Sequence, residues 1–435
     1  MDTLQPEEGF KIRVDDVANS SGRFNNNWVS GIGDVNGDGI DDVIIGGRWK
    51  RNRSNETYII FGKNEVRSDI DVGQLSFDDG FRVYGTDEDY KITVVSGIGD
   101  MNGDGLNDLI VGGEYIRRVR GGPVIYVIYG KNNRLNDINL DVLTPDVGFI
   151  MQNTNSISDL NSASGAGDVN GDGFDDLIIG VHYWRGRYRD NVITSRSQAA
   201  YLIYGSNARL NNIHLEAIAS TDGFKMEGRE HTWRVSDFMF SSMPADGAGD
   251  VNGDGIDDLI IGDGGITVYV MYGGAARSGT VALPELSVDE GFTIDTRSAL
   301  SSRSYYPRRI SGAGDINGDG LDDFIVAGAS DGAFVIFGKR HRTGNFFYLA
   351  NMEPEDRLEI RGGGNEDRFF GDSMSSAGDI NGDGIDDLIV GVSCDGLISL
   401  TTDNAEAYVI FGRKEVPFGP EITVHPAGPD HCQTQ

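Results

Sequence analysis

Residues 31–47 read GIGDVNGDGIDDVIIGG, and the nine-residue acidic loop at their centre, residues 34–42, decides the fold. The stretch returns as GIGDMNGDGLNDLIVGG from Gly97, GAGDVNGDGFDDLIIGV from Gly165, GAGDVNGDGIDDLIIGD from Gly247, GAGDINGDGLDDFIVAG from Gly312 and SAGDINGDGIDDLIVGV from Ser376. The first aspartates of these loops are residues 34, 100, 168, 250, 315 and 379, so the copies recur at intervals of 64 to 82 residues. Such self-similarity indicates a repeat protein, in which each copy forms one supersecondary unit.

Each loop carries the side-chain oxygens that a calcium ion prefers. We number the loops one to six in chain order and the positions within each loop one to nine. Oxygen-bearing side chains stand at positions 1, 3, 5 and 9, while position 7 is apolar, so that only its carbonyl can bind a metal. Calcium takes about six to eight oxygen ligands, and the absence of His and Cys argues against zinc. The sequence therefore predicts six Ca²⁺ sites, with the ligands Asp34, Asn36, Asp38, Ile40 and Asp42; Asp100, Asn102, Asp104, Leu106 and Asp108; Asp168, Asn170, Asp172, Phe174 and Asp176; Asp250, Asn252, Asp254, Ile256 and Asp258; Asp315, Asn317, Asp319, Leu321 and Asp323; Asp379, Asn381, Asp383, Ile385 and Asp387.

Two other interpretations of this loop are weaker. An EF-hand shares the D-x-N-x-D-G start, but it closes with Glu at position 12 and lies between helices. Position 12 here is apolar and falls in β-branched, strand-like runs: Ile45, Val111, Ile179, Ile261, Val326 and Val390. A metal-free Asx turn would explain one copy, but it does not explain why all six copies keep every ligand position.

Strand signals recur in every interval between loops. Each loop is followed by a short apolar run, then by a run ending in an aromatic residue and glycine, such as TYIIFG at 57–62, then by a run that usually opens with Gly-Phe, such as GFRVYG from Gly80. A short Ser/Gly-rich strand precedes each loop, and no long helix is indicated. Four short antiparallel strands per repeat are typical of a β-propeller blade, so we predict an all-β propeller of six four-stranded blades.

The first strand signal, GFKIRV at 9–14, resembles an outermost blade strand, and the last repeat lacks that strand. We therefore expect the N-terminal strand to complete blade six and close the ring. Residues 1–412 then form one propeller domain, and residues 413–435 form a Pro-rich tail without a clear strand partner.

The motif G-x-GDxNGDGxDDLxxG resembles the FG-GAP repeat family, which forms the propeller of integrin α subunits and their bacterial relatives. The resemblance covers roughly residues 9–412 and implies Ca²⁺ in the loop between the first and second strand of every blade. It also implies partner binding on the opposite face. Integrin propellers have seven blades, of which only some carry calcium, whereas six are visible here and all carry the loop. Whether the ring closes as six or recruits a seventh blade from another chain stays open.

Composition limits the class of protein and its partners. The formal net charge is −31, which argues against nucleic acid as the main partner. No apolar run is long enough for a membrane span, and we do not expect the first residues to act as a signal peptide. Cys394 and Cys432 form one bridge or stay free thiols. Because millimolar calcium is found outside cells, we expect an extracellular or cell-surface location. We also expect a monomeric domain.

Arginine and aromatic residues concentrate in the loops predicted on the face opposite the calcium loops. These are the connections between strands two and three and between strand four and the next blade, at 47–56, 114–123, 181–196, 228–238 and 296–309. Arg, Trp and Tyr are over-represented at binding hot spots. We predict a recognition face for a protein or an anionic glycan, with the candidate residues Trp49, Arg118, Trp184, Arg185, Arg187, Trp233, Tyr306 and Arg308. The alternative is that the arginines pair with local carboxylates and the aromatics only cover blade edges.

Two other functions stay open at this point. His182, Tyr183 and His231 lie among those arginines and offer a base for a calcium-dependent polysaccharide lyase or hydrolase, although a loop histidine is more often a solvated side chain. The second alternative is that the chain is a structural spacer within a larger surface protein. We favour a non-catalytic recognition or adhesion module.

Overall fold

The computed structural model describes residues 12–13, 25–48, 55–64, 69–85, 90–115, 122–132, 136–153, 158–183, 188–189, 192–208, 212–229, 231–234, 243–297, 307–328, 332–362, 373–393, 405–414 and 421–424. These residues form strands and single-turn 3-10 helices, and none of their helices is long and apolar enough to cross a membrane. The fold is the predicted all-β, six-bladed propeller.

The main strands of each blade form an antiparallel meander, in which each strand pairs with the next strand of its own blade. The first strands are Asn25–Gly33, Tyr90–Gly99, Ser158–Gly167, Ala245–Gly249, Pro307–Gly314 and Ser373–Gly378. The second strands are Asp42–Arg48, Asp108–Tyr115, Asp176–Tyr183, Asp258–Gly262, Asp323–Gly328 and Asp387–Ser393. The third strands are Asn55–Ile60, Val124–Ile128, Val192–Ile203, Thr267–Met271, Gly332–Ile336 and Ala405–Ile410. The fourth strands of blades one to five are Gly80–Gly85, Gly148–Gln152, Gly223–Glu227, Gly291–Asp295 and Arg357–Gly362.

The chain divides into two compact units, one of residues 1–165, 173–177 and 203–223 and the other of residues 166–172, 178–202 and 224–435. Blades one and two lie in the first unit and blades four to six in the second, while the strands of blade three are divided between the units. Within each unit the core lies between neighbouring blades. Ile44 of blade one shares a cluster with Leu109 of blade two, and Phe292 of blade four shares one with Phe324 of blade five. Because both faces of the middle strands are covered, these strands read as continuous apolar runs instead of alternating ones.

Blades one to five also carry a fifth, parallel strand that sequence reasoning missed. It is supplied by the following repeat and pairs with the outer edge of the fourth strand. These fifth strands are Ile138–Asn139, Ile213–His214, Gly279–Ala282, Phe346–Tyr348 and Glu421–Val424. They are too short to show a hydrophobic period, which explains why the pattern did not reveal them.

The last of these strands corrects the prediction for the tail. Residues 413–435 were expected to lack a strand partner, yet Glu421–Val424 pairs in parallel with the fourth strand of blade five, with Glu359 opposite Glu421. The segment EITV offers only four residues of pattern, so its pairing depends on the edge that the fourth strand of blade five provides.

The N-terminal strand takes the role of an outermost strand. Ile12–Arg13 pairs in parallel with Ile70–Asp71, which stands in its repeat where the fifth strands stand in theirs. A fifth strand otherwise pairs with the fourth strand of the blade before it, so Ile12–Arg13 occupies the place of such a fourth strand. The described part of blade six has three strands. Its completion by residues 9–14 stays a prediction, because Ile12 and Arg13 are the described residues of that stretch.

One apolar face of blade six is more exposed than the same face of blade five. Val409 and Phe411 are 43% and 56% exposed, whereas Val335 and Phe337 at the same positions are 0% and 2% exposed. Blade six covers this face of blade five, and the described residues provide no equivalent cover for blade six.

The glycine that ends each aromatic-Gly motif is required by a close approach of backbone. A Cβ on Gly62 would lie 2.3 Å from the carbonyl oxygen of Asp41 and 2.5 Å from the Cγ2 atom of Ile40. The third strand therefore ends against the last residues of its own loop, at a separation that only glycine allows.

We predict that Gly62→Ala lowers the free energy of unfolding by about 1–3 kcal/mol, the usual cost of overpacking a buried contact. The matched control is Gly31→Ala, where the added Cβ meets nothing within 4 Å. Urea unfolding should give a change below about 0.5 kcal/mol for the control. Equal effects for the two variants would contradict this explanation of the motif.

Candidate metal centres

The first half of each loop is folded around its own side chains. In loop one, Asp34 Oδ1 accepts the N–H of Gly37 at 2.7 Å, and Asp34 Oδ2 accepts the N–H of Gly39 at 2.7 Å. Asn36 Oδ1 accepts the N–H of Asp38 at 2.8 Å. These bonds gather the oxygens of positions 1, 3 and 5 in one short turn. Loops two, four and six repeat them.

The backbone of the turn requires glycine at positions 4 and 6. Gly37 and Gly39 have φ angles of 77° and 83°, in the left-handed region that side-chain-bearing residues avoid. The same two positions are left-handed glycines in all six loops.

Position 9 is a buried aspartate that joins the loop to the third strand. In blade two, Asp108 Oδ2 accepts the N–H of Met101 at the start of the loop at 3.1 Å, and Oδ1 accepts the N–H of Gly130 at 2.9 Å. Gly130 is the glycine of the aromatic-Gly motif. The carboxylate therefore fixes both ends of the site, and it is at most 1% exposed in every blade: Asp42, Asp108, Asp176, Asp258, Asp323 and Asp387.

Burial makes the negative charge at position 9 unfavourable in loops one, two and four of the metal-free protein. It raises the pKa of Asp108 to about 8, and the nearby carboxylates of Asp104 and Asp100 raise it further against the two backbone hydrogen bonds. Burial likewise raises the pKa of Asp258 to about 8 and that of Asp42 to about 6. These loops thus concentrate carboxylates that repel one another, a charge that a bound cation would neutralise.

The donor set fits a hard divalent cation. Each loop offers carboxylate, amide and carbonyl oxygens and no nitrogen or sulfur ligand, which is the chemistry of calcium and magnesium sites. Among the described residues, no group of three or more His, Cys, Asp or Glu is placed to hold an ion by those side chains alone. The predicted ligand set also includes the amide of position 3 and the carbonyl of position 7.

The apolar residue at position 7 has a packing role that sequence reasoning missed. Leu106 is 7% exposed, and its side chain lies over Gly37 of the preceding loop, since a Cβ on Gly37 would lie 3.0 Å from its Cδ2 atom. Leu321 stands in the same way over Gly253. The side chain thus covers the neighbouring loop while its carbonyl stays available to its own loop.

Sequence reasoning also gave no role to position 8, which binds the preceding loop. Asp322 of loop five accepts the N–H of Asp250 of loop four through Oδ2 at 2.8 Å. The signal was present in the sequence, because position 8 is Asp or Asn in every copy, but only the arrangement of neighbouring blades shows its partner.

Most of the predicted recognition face lies outside the described residues. This applies to Trp49, Arg118, Trp184, Arg185, Arg187 and Tyr306. Trp233 and Arg308 belong to the strands His231–Arg234 and Pro307–Gly314, but their side chains are not described. These eight assignments stay predictions.

Two segments predicted as loops contain β-structure instead. In blade three, Val192–Ile203 is a 12-residue third strand, whereas Thr267–Met271 in blade four has 5 residues. The extended end of Val192–Ile203 pairs with Tyr188–Arg189 and with His231–Arg234. The segments 181–196 and 228–238 are thus partly ordered into a ribbon, which the polar, Arg-rich sequence did not indicate.

His182 is likewise not the solvated loop side chain that its type suggested. It lies in the second strand of blade three and is 3% exposed, so it belongs to the interior of the blade.

Comparisons with known sequences agree with the resemblance seen in the loops. The FG-GAP repeat family matches residues 160–194. Integrin alpha pat-2 of Caenorhabditis elegans is 28% identical over 176 residues, which cover 39% of this chain and 14% of the relative. Integrin alpha-4 of Xenopus laevis is 30% identical over 163 residues, which cover 33% of this chain and 14% of the relative. The chain therefore matches only a small part of the length of these curated relatives.

Comparisons with solved structures give weak similarity. The rhamnogalacturonan lyase YesX matches with a TM-score of 0.33 and 11% identity, over 83% of this chain and 62% of the lyase. The rhamnogalacturonan lyase YesW matches with a TM-score of 0.32 and 10% identity, over 89% of this chain and 68% of the lyase. Similarity at this level carries no argument about activity.

We predict that the metal-free protein loses stability as the pH rises from about 4 to about 8. The pKa of Asp108 is raised in the folded protein, so folding binds a proton that is lost as the pH passes through the folded pKa of about 8. Melting temperatures measured in a chelator across this range should fall. The fall of the melting temperature with pH should be less steep in Asp108→Asn. A rise in stability with pH would contradict the prediction.

Proposed function

We propose that this chain, an FG-GAP-type β-propeller that resembles integrin α subunits, is a calcium-stabilised, non-catalytic recognition module that works outside the cell. One observation carries the proposal: position 9 is a buried aspartate in all six loops, and in loops one, two, four and five the carboxylates at positions 1 and 5 lie close enough to act on it. A charge arrangement of this kind is unfavourable without a cation and is repeated too regularly for chance turns.

The residues that would hold the ion are the side chains at positions 1, 3, 5 and 9 and the carbonyl at position 7. When bound, calcium supplies two positive charges to a group of oxygens that otherwise repel one another. The chain's own part is to hold these oxygens in place. Position 1 organises the turn through its N–H bonds, and position 9 fastens the loop to the third strand.

Calcium would also reduce the overall charge. Six Ca²⁺ ions add 6 × 2 = 12 to the formal net charge of −31, which leaves −19. The protein would stay acidic and soluble, and its arginines would be the exception on an otherwise negative surface.

We place ligand recognition on the face opposite the loops. The extended third strand of blade three pairs with His231–Arg234, which gives the described part of the Arg- and Trp-rich segments 181–196 and 228–238 a regular backbone. A ribbon of this kind holds recognition side chains with less loss of conformational freedom than an irregular loop. The proposed ligand is a protein or an anionic glycan, and the arginines would bind the carboxylates of that ligand.

Removing calcium should lower the stability of the protein sharply. At a free concentration 100 times its Kd, an ion contributes about 2.7 kcal/mol per site, so six independent sites give an upper bound of about 16 kcal/mol. We expect the melting temperature to fall on dialysis against EGTA and to return when calcium is added. An unchanged melting temperature would contradict the proposal.

A single-site pair of variants makes the test specific. Asp254→Ala removes the position 5 ligand of loop four and should lower the number of calcium ions bound from six to five, as measured by calorimetry. Asp289→Ala removes an exposed carboxylate outside the loops and should bind six ions, like the parent protein.

A binding screen against acidic glycans and extracellular proteins tests the recognition face. For a ligand found in calcium, Trp184→Ala and Arg185→Ala should each weaken binding by roughly tenfold or more, as expected for hot-spot residues. The control is Arg277→Ala, an arginine that pairs with Glu290 away from those segments. Incubation with acidic polysaccharides should release no unsaturated product, and such release would favour a lyase instead.

A further inference from the structure

Each loop is held at its first residue by the blade that follows. In loop four, the N–H of Asp250 donates to Asp322 Oδ2 at 2.8 Å, and the N–H of Asp322 donates back to the carbonyl of Asp250 at 3.1 Å. Asp322 is position 8 of loop five. One residue of the neighbouring loop therefore binds both backbone groups of the residue that begins loop four.

The same pair of bonds occurs at each of the four remaining junctions between consecutive loops. The N–H to side-chain distances lie between 2.7 and 3.1 Å, and the return bonds between 3.0 and 3.4 Å. The acceptor side chains are Asn107, Asp175, Asp257 and Asp386, which bind Asp34, Asp100, Asp168 and Asp315. Because Asn107 serves as well as the aspartates, the link needs an oxygen acceptor and not a negative charge.

A third bond strengthens each junction. The N–H of Lys339, directly after the aromatic-Gly motif of blade five, donates to the carbonyl of Val251 in loop four at 2.8 Å. Lys131, Ser206, Gly274 and Arg413 make the equivalent bonds at the other junctions. The first two residues of a loop are therefore positioned by the next blade as well as by their own.

The residue held in this way also organises its own loop. Asp250 Oδ1 accepts the N–H groups of Gly253 and Asp254, and Oδ2 accepts that of Gly255 at 2.8 Å. In the following loop, Asp322 lies between the candidate ligands Leu321 and Asp323. A change in loop five thus reaches the turn of loop four through one residue and two hydrogen bonds.

We propose that position 8 couples the calcium sites of neighbouring blades, so that an ion in loop five raises the affinity of loop four for calcium. The inference rests on the proposed calcium binding and adds to it a physical connection between neighbouring sites. Since coupling between sites is reciprocal, loop four acts equally on loop five. We expect an effect of about tenfold in affinity, within the usual range for coupled sites.

Hydrogen exchange of the peptide 250–258, followed in the full chain against free calcium, reports on loop four alone. Asp319→Ala removes a candidate ligand of loop five and leaves position 8 in place. We expect the calcium concentration that half-protects loop four to rise about tenfold in this variant. The control is Asp383→Ala, which makes the same change in loop six, one junction further away, and should shift loop four less. An unchanged midpoint in Asp319→Ala would overturn the proposal.

A second pair of variants tests the link itself. Asp322→Asn keeps the acceptor, as Asn107 does, and should retain the parent midpoint for loop four, whereas Asp322→Ala should raise it. In the Asp322→Ala background, the further change Asp319→Ala should have little additional effect, because the two sites are already uncoupled. A full additional shift would show that the coupling does not run through Asp322, which would overturn the role proposed for position 8. If calcium protected none of the six loops of the parent protein, calcium binding itself would be refuted, and the coupling with it.

Discussion

A carboxylate buried at the end of each loop joins two stretches of backbone that are far apart in sequence. Asp108 binds the N–H of Met101 at the start of its loop and that of Gly130 at the end of the third strand. A buried charge without a counter-charge is costly, although hydrogen bonds reduce the cost. The shape of the loop, the glycine of the aromatic-Gly motif and the affinity proposed for calcium all follow from placing this group there.

The nine residues of a loop serve two blades at once. Positions 1, 3, 5 and 9 shape their own loop, while positions 7 and 8 contact the loop before it. Leu321 covers Gly253, and Asp322 binds the backbone of Asp250. This double use gives a physical reason why the motif recurs in full within the chain. A change at either kind of position would disturb a loop, its neighbour or both.

The scaffold and the proposed recognition face differ in chemistry. The loops concentrate negative charge on a regular frame, whereas arginine and tryptophan gather in the connections between the second and third strands and between the fourth strand and the next blade. Blade three departs most from the common plan, with a 12-residue third strand that carries extra pairing on both sides. Departures of this kind from a repeat are where a specific function is usually added to a common fold.

The sequence by itself determined the repeat, the blade and the candidate ligands. Asp34, Gly37, Gly39 and Asp42 act through their own loop, and local rules of side-chain oxygen and left-handed glycine are enough to predict them. The alternation of loop and apolar run was likewise sufficient for four strands per repeat, because these strands are long enough to show a pattern.

The tertiary structure decided everything that depends on a neighbour. The fifth strands, such as Glu421–Val424, are two to four residues long and form because an outer strand offers an unpaired edge. The burial of His182 and the partners of positions 7 and 8 are set by packing between strands and blades. A single sequence gives the type of each side chain, but the separation of 72 residues between Asp250 and Asp322 is closed only by the fold.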